Sequence, residues 1–165
     1  MKNLSLLFLV SFAFWAVACA DTDSNVSAES RNLFWLEEKV RSQSEEKQRE
    51  WVRELFSEEE GRMLLHLAFS DTFSETVSVE TKSMILDVIG SSPMTDSEIV
   101  NVSSIAGGDG NEKIREKAFN LLDSRKSLIA DPELSNRIRS ILLNTLENES
   151  SQVLKSKKAK FLKNI

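Results

Sequence analysis

Hydrophobic residues recur every three or four positions from Arg31 to the end of the chain, which is the spacing of amphipathic α-helices. No segment alternates strictly between apolar and polar residues, as a half-buried β-strand would. The chain also has only 5 Gly and 2 Pro, too few for the many tight turns of an all-β fold. We therefore predict an all-α domain over residues 31–165 with roughly seven or eight helices.

Capping residues mark the expected starts of several helices. Ser57, Thr95 and Asp109 each stand three positions before a Glu, which is the spacing of a capping box or a close variant of it. Asp131 precedes Pro132, which fits a capping residue followed by a first-turn proline. These signals predict that helices begin just after those four residues.

The first thirty residues follow a different pattern. Lys2 is followed by an uncharged, mostly apolar run over residues 4–18 that ends in small residues. This order is typical of a secretory signal peptide, here residues 1–18. The run is shorter than the roughly 20 residues that a transmembrane helix needs, and a membrane anchor that stays attached is the alternative.

The end of that run, Ala16-Val17-Ala18-Cys19, resembles the lipobox of bacterial lipoproteins. The resemblance implies cleavage before Cys19, lipidation of this only cysteine, and a polar, flexible tether over residues 19–30. It also favours the outer membrane, with the protein facing the periplasm, because Ala20 stands where an Asp would favour retention in the inner membrane. Ordinary signal-peptidase cleavage after Ala20 is the alternative and would give a soluble secreted or periplasmic protein.

Residues 109–122 resemble the second helix of a HEAT repeat, with an acidic turn, the pair Ile114-Arg115, the small residue Ala118 and a pair of leucines. Shifts of 33 and 40 residues place related segments on this pattern. The resemblance implies a short α-solenoid of HEAT-like helical pairs over residues 58–165, and an irregular helical bundle is the alternative. Lys158 falls at the small-residue position of the last pair, which predicts a last helix without a tightly packed neighbour. First helices are expected at 58–70, 95–106 and 132–147, after a divergent pair at 31–43 and 45–56.

Residues that could carry catalysis or bind a cofactor are sparse. A single Cys and a single His, His66, exclude the usual zinc sites, and no glycine-rich phosphate-binding motif is present. His66 lies within an apolar helical stripe, and Trp35 and Trp51 recur at helical spacing, so all three are expected to pack in the core. We therefore expect no enzyme activity, no metal, no cofactor and no small-molecule substrate. The net charge of −5 also argues against binding to nucleic acid.

These features predict a non-enzymatic, membrane-tethered module that binds an unidentified protein of the bacterial cell envelope. In HEAT-like solenoids the second helices line the concave face, which implies a groove whose charge changes from acidic to basic along its length. Two alternatives stay open: an envelope structural or assembly factor whose basic last helix contacts anionic lipid, and an enzyme with an unfamiliar acidic site. The candidate protein-binding residues in the groove are Asp87, Glu116, Asn120, Asp123, Lys160 and Lys163.

Overall fold

The computed structural model describes residues 28–73 and 76–165, and this part of the chain contains eight α-helices and no β-strand. The predicted all-α fold is therefore confirmed. The predicted signal segment and Cys19 lie outside the described residues. The helices, numbered in chain order, are α1 (Ala28–Arg41), α2 (Glu45–Ser57), α3 (Glu59–Leu67), α4 (Val79–Ser91), α5 (Asp96–Gly108), α6 (Glu112–Ser124), α7 (Pro132–Leu146) and α8 (Gln152–Leu162).

Alternate helices pack side by side along the chain. Helix α2 contacts α4, α4 contacts α6, and α6 contacts α8, so these four helices form one continuous row, which we call the even-numbered row. On the other side, α1 packs on α3 and α5 packs on α7. The two sides enclose one core, because α5 also packs on α6 and α7 packs on α8. Buried apolar side chains from both sides fill this core, among them Ile85, Leu86, Ile99, Val102, Ile114, Leu122, Ile138 and Leu142.

Small residues lie where helices approach closely. Ala118 on α6 is completely buried. Gly107 on α5 faces α7 so closely that a Cβ atom at this position would lie 2.9 Å from the Thr145 hydroxyl oxygen. In the same way, a Cβ atom added to Gly90 on α4 would lie 3.0 Å from the Cδ1 atom of Leu121 on α6. Larger side chains at Gly90 and Gly107 would force Leu121 and Thr145 to move.

Two of the four predicted helix starts are confirmed. Thr95 and Glu98 form a complete capping box before α5, and the Asp131 carboxylate accepts a hydrogen bond from the Leu134 N–H before α7. The prediction that Ser57 caps the next helix is wrong, because Ser57 is the last residue of α2 and its hydroxyl donates to the Glu54 carbonyl. Asp109 was also wrong as a cap: Asn111 caps α6 by accepting from the Lys113 and Ile114 N–H groups.

Trp35 and Trp51 lie at the edge of the core. Their rings pack edge to face with centroids 5.4 Å apart, which joins α1 to α2. Trp51 is half-buried and contacts the core, whereas Trp35 keeps 40% of its surface exposed. The prediction that Trp35 packs in the core is therefore wrong, because its helix turns Leu33 and Leu36 inward.

Candidate functional site

A series of buried charges joins α4 to the turns that precede α6 and α8. Lys82 of α4 donates to the Asp109 carboxylate at 3.0 Å, and these two side chains are only 3% and 1% exposed. Farther along, Glu149 accepts two hydrogen bonds from the Arg115 guanidinium, at 2.8 and 3.1 Å, and a third from Lys158 at 2.6 Å. We call these five residues the buried ion-pair ladder.

Arg115 connects the two halves of the ladder. Its Nη1 donates to the Asp109 carbonyl oxygen at 2.9 Å, while its Nε and Nη2 hold Glu149. Every charged group in the ladder therefore pairs with a group of opposite charge, and the Asp109 carbonyl oxygen also has a donor. The sequence resemblance drew attention to Arg115, but it gave no indication that Glu149 or Lys158 would take part.

Glu149 has the strongest electrostatic perturbation in the ladder. Burial by itself would raise the pKa of this carboxyl, but the hydrogen bonds from Arg115, Lys158 and the Ser151 N–H oppose it and lower the pKa to about 2. The carboxylate is therefore fully ionised near neutral pH. With every lone-pair direction used by a donor, it acts as a structural anion, and its partners leave little room for a proton to be exchanged with a substrate.

The prediction that the last helix has no tightly packed neighbour is wrong. Lys158 is completely buried, because Glu149 lies close enough to neutralise its ammonium group inside the protein. On the same helix Lys157 pairs with Glu116 at 2.8 Å, and Lys155 donates to the Glu147 carbonyl. Much of the basic character of α8 is therefore used in contacts within the chain.

The six predicted protein-binding residues all lie on, or next to, helices of the even-numbered row. Asp87 on α4 pairs with Arg49 of α2 at 3.8 Å and with Lys117 of α6 at 2.8 Å. Glu116 is held by Lys157, as described above. These two acids are partly neutralised by neighbouring helices, which the sequence did not indicate. The other four residues are exposed: Asn120, Asp123, Lys160 and Lys163.

A cleft of about 290 Å³ opens between α3 and α5. Its apolar surface comes from Phe69 and Ile105, and its polar lining groups are His66, Ser70, Asn101, Ser104 and Asp109, next to Gly108. His66 is the only one of these polar residues that the sequence singled out as a candidate for chemistry, and it was expected to be structural. The others could not be found from spacing, because they come from separate helices and a turn.

His66 in this cleft is held in its neutral form. Burial lowers the pKa of the imidazole, and the effect outweighs the opposing attraction of the Glu98 carboxylate. Its Nδ1 atom is buried and has no hydrogen-bond partner among the described residues. A buried polar atom without a partner costs free energy in the folded protein.

No family model matches the chain, and the comparisons with curated proteins and with solved structures also found no match. Among the described residues, no helix has the length and apolar character needed to cross a membrane. The candidate sites of this protein are therefore the exposed side of the even-numbered row and the cleft at His66, and their chemistry is argued from geometry alone.

Proposed function

We propose that this protein is a non-enzymatic, membrane-tethered module that binds a protein partner of the bacterial cell envelope. The observation that carries the proposal is the even-numbered row, whose four helices contact one another in succession. Helices packed at spacings of about 8–10 Å form a surface about 25–30 Å across, a width suited to a protein partner. The lipobox-like segment at Cys19 would provide the tether.

The solenoid hypothesis receives support from the same contacts. A HEAT-like solenoid stacks helical pairs so that each helix contacts its counterpart in the next pair, and α2, α4, α6 and α8 follow this order. The buried ion-pair ladder links successive turns in the same direction. We favour a short α-solenoid over an irregular bundle on these grounds.

The charge pattern of the row favours protein binding over lipid contact. Lys158 is buried and Lys157 is paired with Glu116, so α8 presents fewer free cations to an anionic membrane than its sequence indicates. An acidic catalytic site is also disfavoured, because the strongly perturbed carboxyl of Glu149 is buried and fully hydrogen-bonded. Asp123 and Lys163 remain exposed and can orient a charged partner.

Photocrosslinking tests the proposed surface directly. A photoreactive residue at Asn120 on α6 is expected to form a discrete adduct in intact envelopes, whereas the same residue at Asn136 on α7, which is also exposed, is not. Exchanging charges in the double variant Asp123→Lys/Lys163→Glu keeps the net charge and is expected to reduce the Asn120 adduct about tenfold at low salt, because complementary charges govern encounter.

The matched control exchanges Glu133 and Arg137, which are exposed on α7. The variant Glu133→Lys/Arg137→Glu is expected to leave the Asn120 adduct unchanged. Equal adducts at Asn120 and Asn136, or equal loss in the two double variants, would exclude the even-numbered row as the binding surface.

The tether is tested separately by Cys19→Ser. This change removes the thiol that lipidation requires, so the protein is expected to move from the detergent phase to the aqueous phase and to lose incorporation of a labelled fatty acid. A variant that removes Ser24 from the same segment, Ser24→Ala, serves as the control and should partition like the wild type. If Cys19→Ser also partitions like the wild type, the lipoprotein interpretation is wrong.

A further inference from the structure

The cleft at His66 brings together polar groups that the proposed envelope-binding function does not use. It lies between α3 and α5. Phe69 and Ile105 give it an apolar wall, while His66, Ser70 and Asn101 supply hydrogen-bonding side chains. An apolar cavity with a few convergent polar groups is the usual form of a site for a small ligand or a single side chain.

The charges around the cleft are already neutralised by one another. Asp109 pairs with Lys82 at 3.0 Å, so the one carboxylate that lines the cleft does not attract a further cation. Glu98, which lies near His66, pairs with Arg62 at 3.5 Å. A charged ligand would lose its hydration and meet an existing ion pair in return, which is unfavourable.

The hydrogen-bonding groups on the wall of the cleft suit a ligand that can both donate and accept hydrogen bonds. His66 lines the cleft, but its Nδ1 atom is enclosed by the protein and takes no part in binding. Asn101 presents a primary amide, whose donor and acceptor lie in one plane. The Ser104 hydroxyl donates to the Val100 carbonyl and so retains acceptor capacity.

We propose that the cleft between α3 and α5 binds an uncharged primary carboxamide whose apolar portion packs on Phe69 and Ile105. The amide pairs with Asn101 and donates to the Ser104 hydroxyl oxygen. A volume of about 290 Å³ admits a glutamine side chain of a peptide or a small aromatic amide. This proposal does not rest on the proposed envelope-binding function.

Three probes of nearly equal shape test the proposal: benzamide, benzoate and benzamidinium. Each is titrated into the isotope-labelled full chain while the backbone amide resonances are followed. Benzamide is expected to shift the resonances of Ser70, Asn101 and Ser104 in a saturable way. The two ions are expected to bind at least tenfold more weakly, because they must be desolvated beside existing ion pairs.

Two variants locate the binding. Asn101→Leu removes the amide group that pairs with the ligand, and Ser104→Leu blocks the cleft from an exposed position that should not disturb folding. Each is expected to weaken benzamide binding at least tenfold. Ser140→Leu, which is exposed on α7, is the matched control and should bind benzamide like the wild type.

The two sources of the amide are distinguished by comparing benzamide with acetyl-glutamine methylamide. Tighter binding of the glutamine derivative assigns the group to a side chain of a peptide, and the reverse order assigns it to a small aromatic molecule; either order supports a carboxamide site. Binding of benzoate or benzamidinium as tight as that of benzamide overturns the proposal. Wild-type affinity in Ser104→Leu, or no saturable shift with either amide, overturns it as well.

Discussion

Replacing Glu149 by Leu is expected to lower the free energy of unfolding by about 3–5 kcal/mol, measured by urea denaturation at neutral pH. Glu149 is the carboxylate that neutralises Lys158, whose side chain is completely buried. Without it, the ammonium group remains in the protein interior with no opposite charge, or the helix must shift to expose it. Arg115 also loses its two hydrogen bonds to Glu149.

Two further variants distinguish the cost of an unpaired buried ammonium group from the cost of lost packing. Lys158→Met alone is expected to cost about 1 kcal/mol, because Glu149 keeps both hydrogen bonds from Arg115 and methionine fills a similar volume. The double variant Glu149→Leu/Lys158→Met is expected to recover more than half of the loss caused by Glu149→Leu, since no buried ammonium remains. A double variant as unstable as Glu149→Leu would contradict this account of the ladder.

The same carboxyl makes stability depend on pH. Its pKa is lowered from 4.5 to about 2 in the folded protein, so the unfolded chain binds more protons at intermediate pH. The contribution, about 3 kcal/mol, is complete above pH 4.5 and is lost as the pH falls toward 2. We therefore expect the stability of the wild type to fall more steeply over this range than that of the double variant.

The features that the sequence predicted correctly are those set by local interactions. Helical periodicity is visible within a few turns, and the all-α fold follows from it. Thr95 and Asp131 cap helices as expected, because a capping side chain needs only backbone groups two or three residues away. The predicted first helices 95–106 and 132–147 lie within two residues of α5 and α7 at each end.

The errors arise where distant parts of the chain decide the outcome. Asp109 matched a capping pattern, but its carboxylate accepts from a lysine 27 positions earlier in the chain and from the Asn111 N–H, and Asn111 caps the helix. Lys158 looked like a surface residue, and only the fold brings Glu149 close enough to bury it. The His66 cleft was not predicted for the same reason, because its lining comes from α3, α5 and the turns that follow them. Spacing along one helix cannot reveal such a site.

The sharpest test of the packing between α2 and α3 is Gly61→Ala, which is expected to lower the free energy of unfolding by about 1–3 kcal/mol. The first turn of α3 lies against the last turn of α2, and Gly61 is buried in this contact. A Cβ atom at this position would overlap the Leu55 carbonyl oxygen and lie 2.8 Å from the carbonyl carbon. These atoms belong to the backbone, so relief requires a shift of one helix.

Gly108→Ala provides the matched control for that prediction. Gly108 is also helical, but it is exposed at the end of α5 and an added Cβ would have no neighbour within 4 Å. Because alanine restricts the unfolded chain more than glycine does, this variant is expected to keep or raise stability by up to about 1 kcal/mol. Urea denaturation of the two variants should therefore give opposite signs. If Gly61→Ala gains as much stability as Gly108→Ala, α2 and α3 do not pack as tightly as this contact implies.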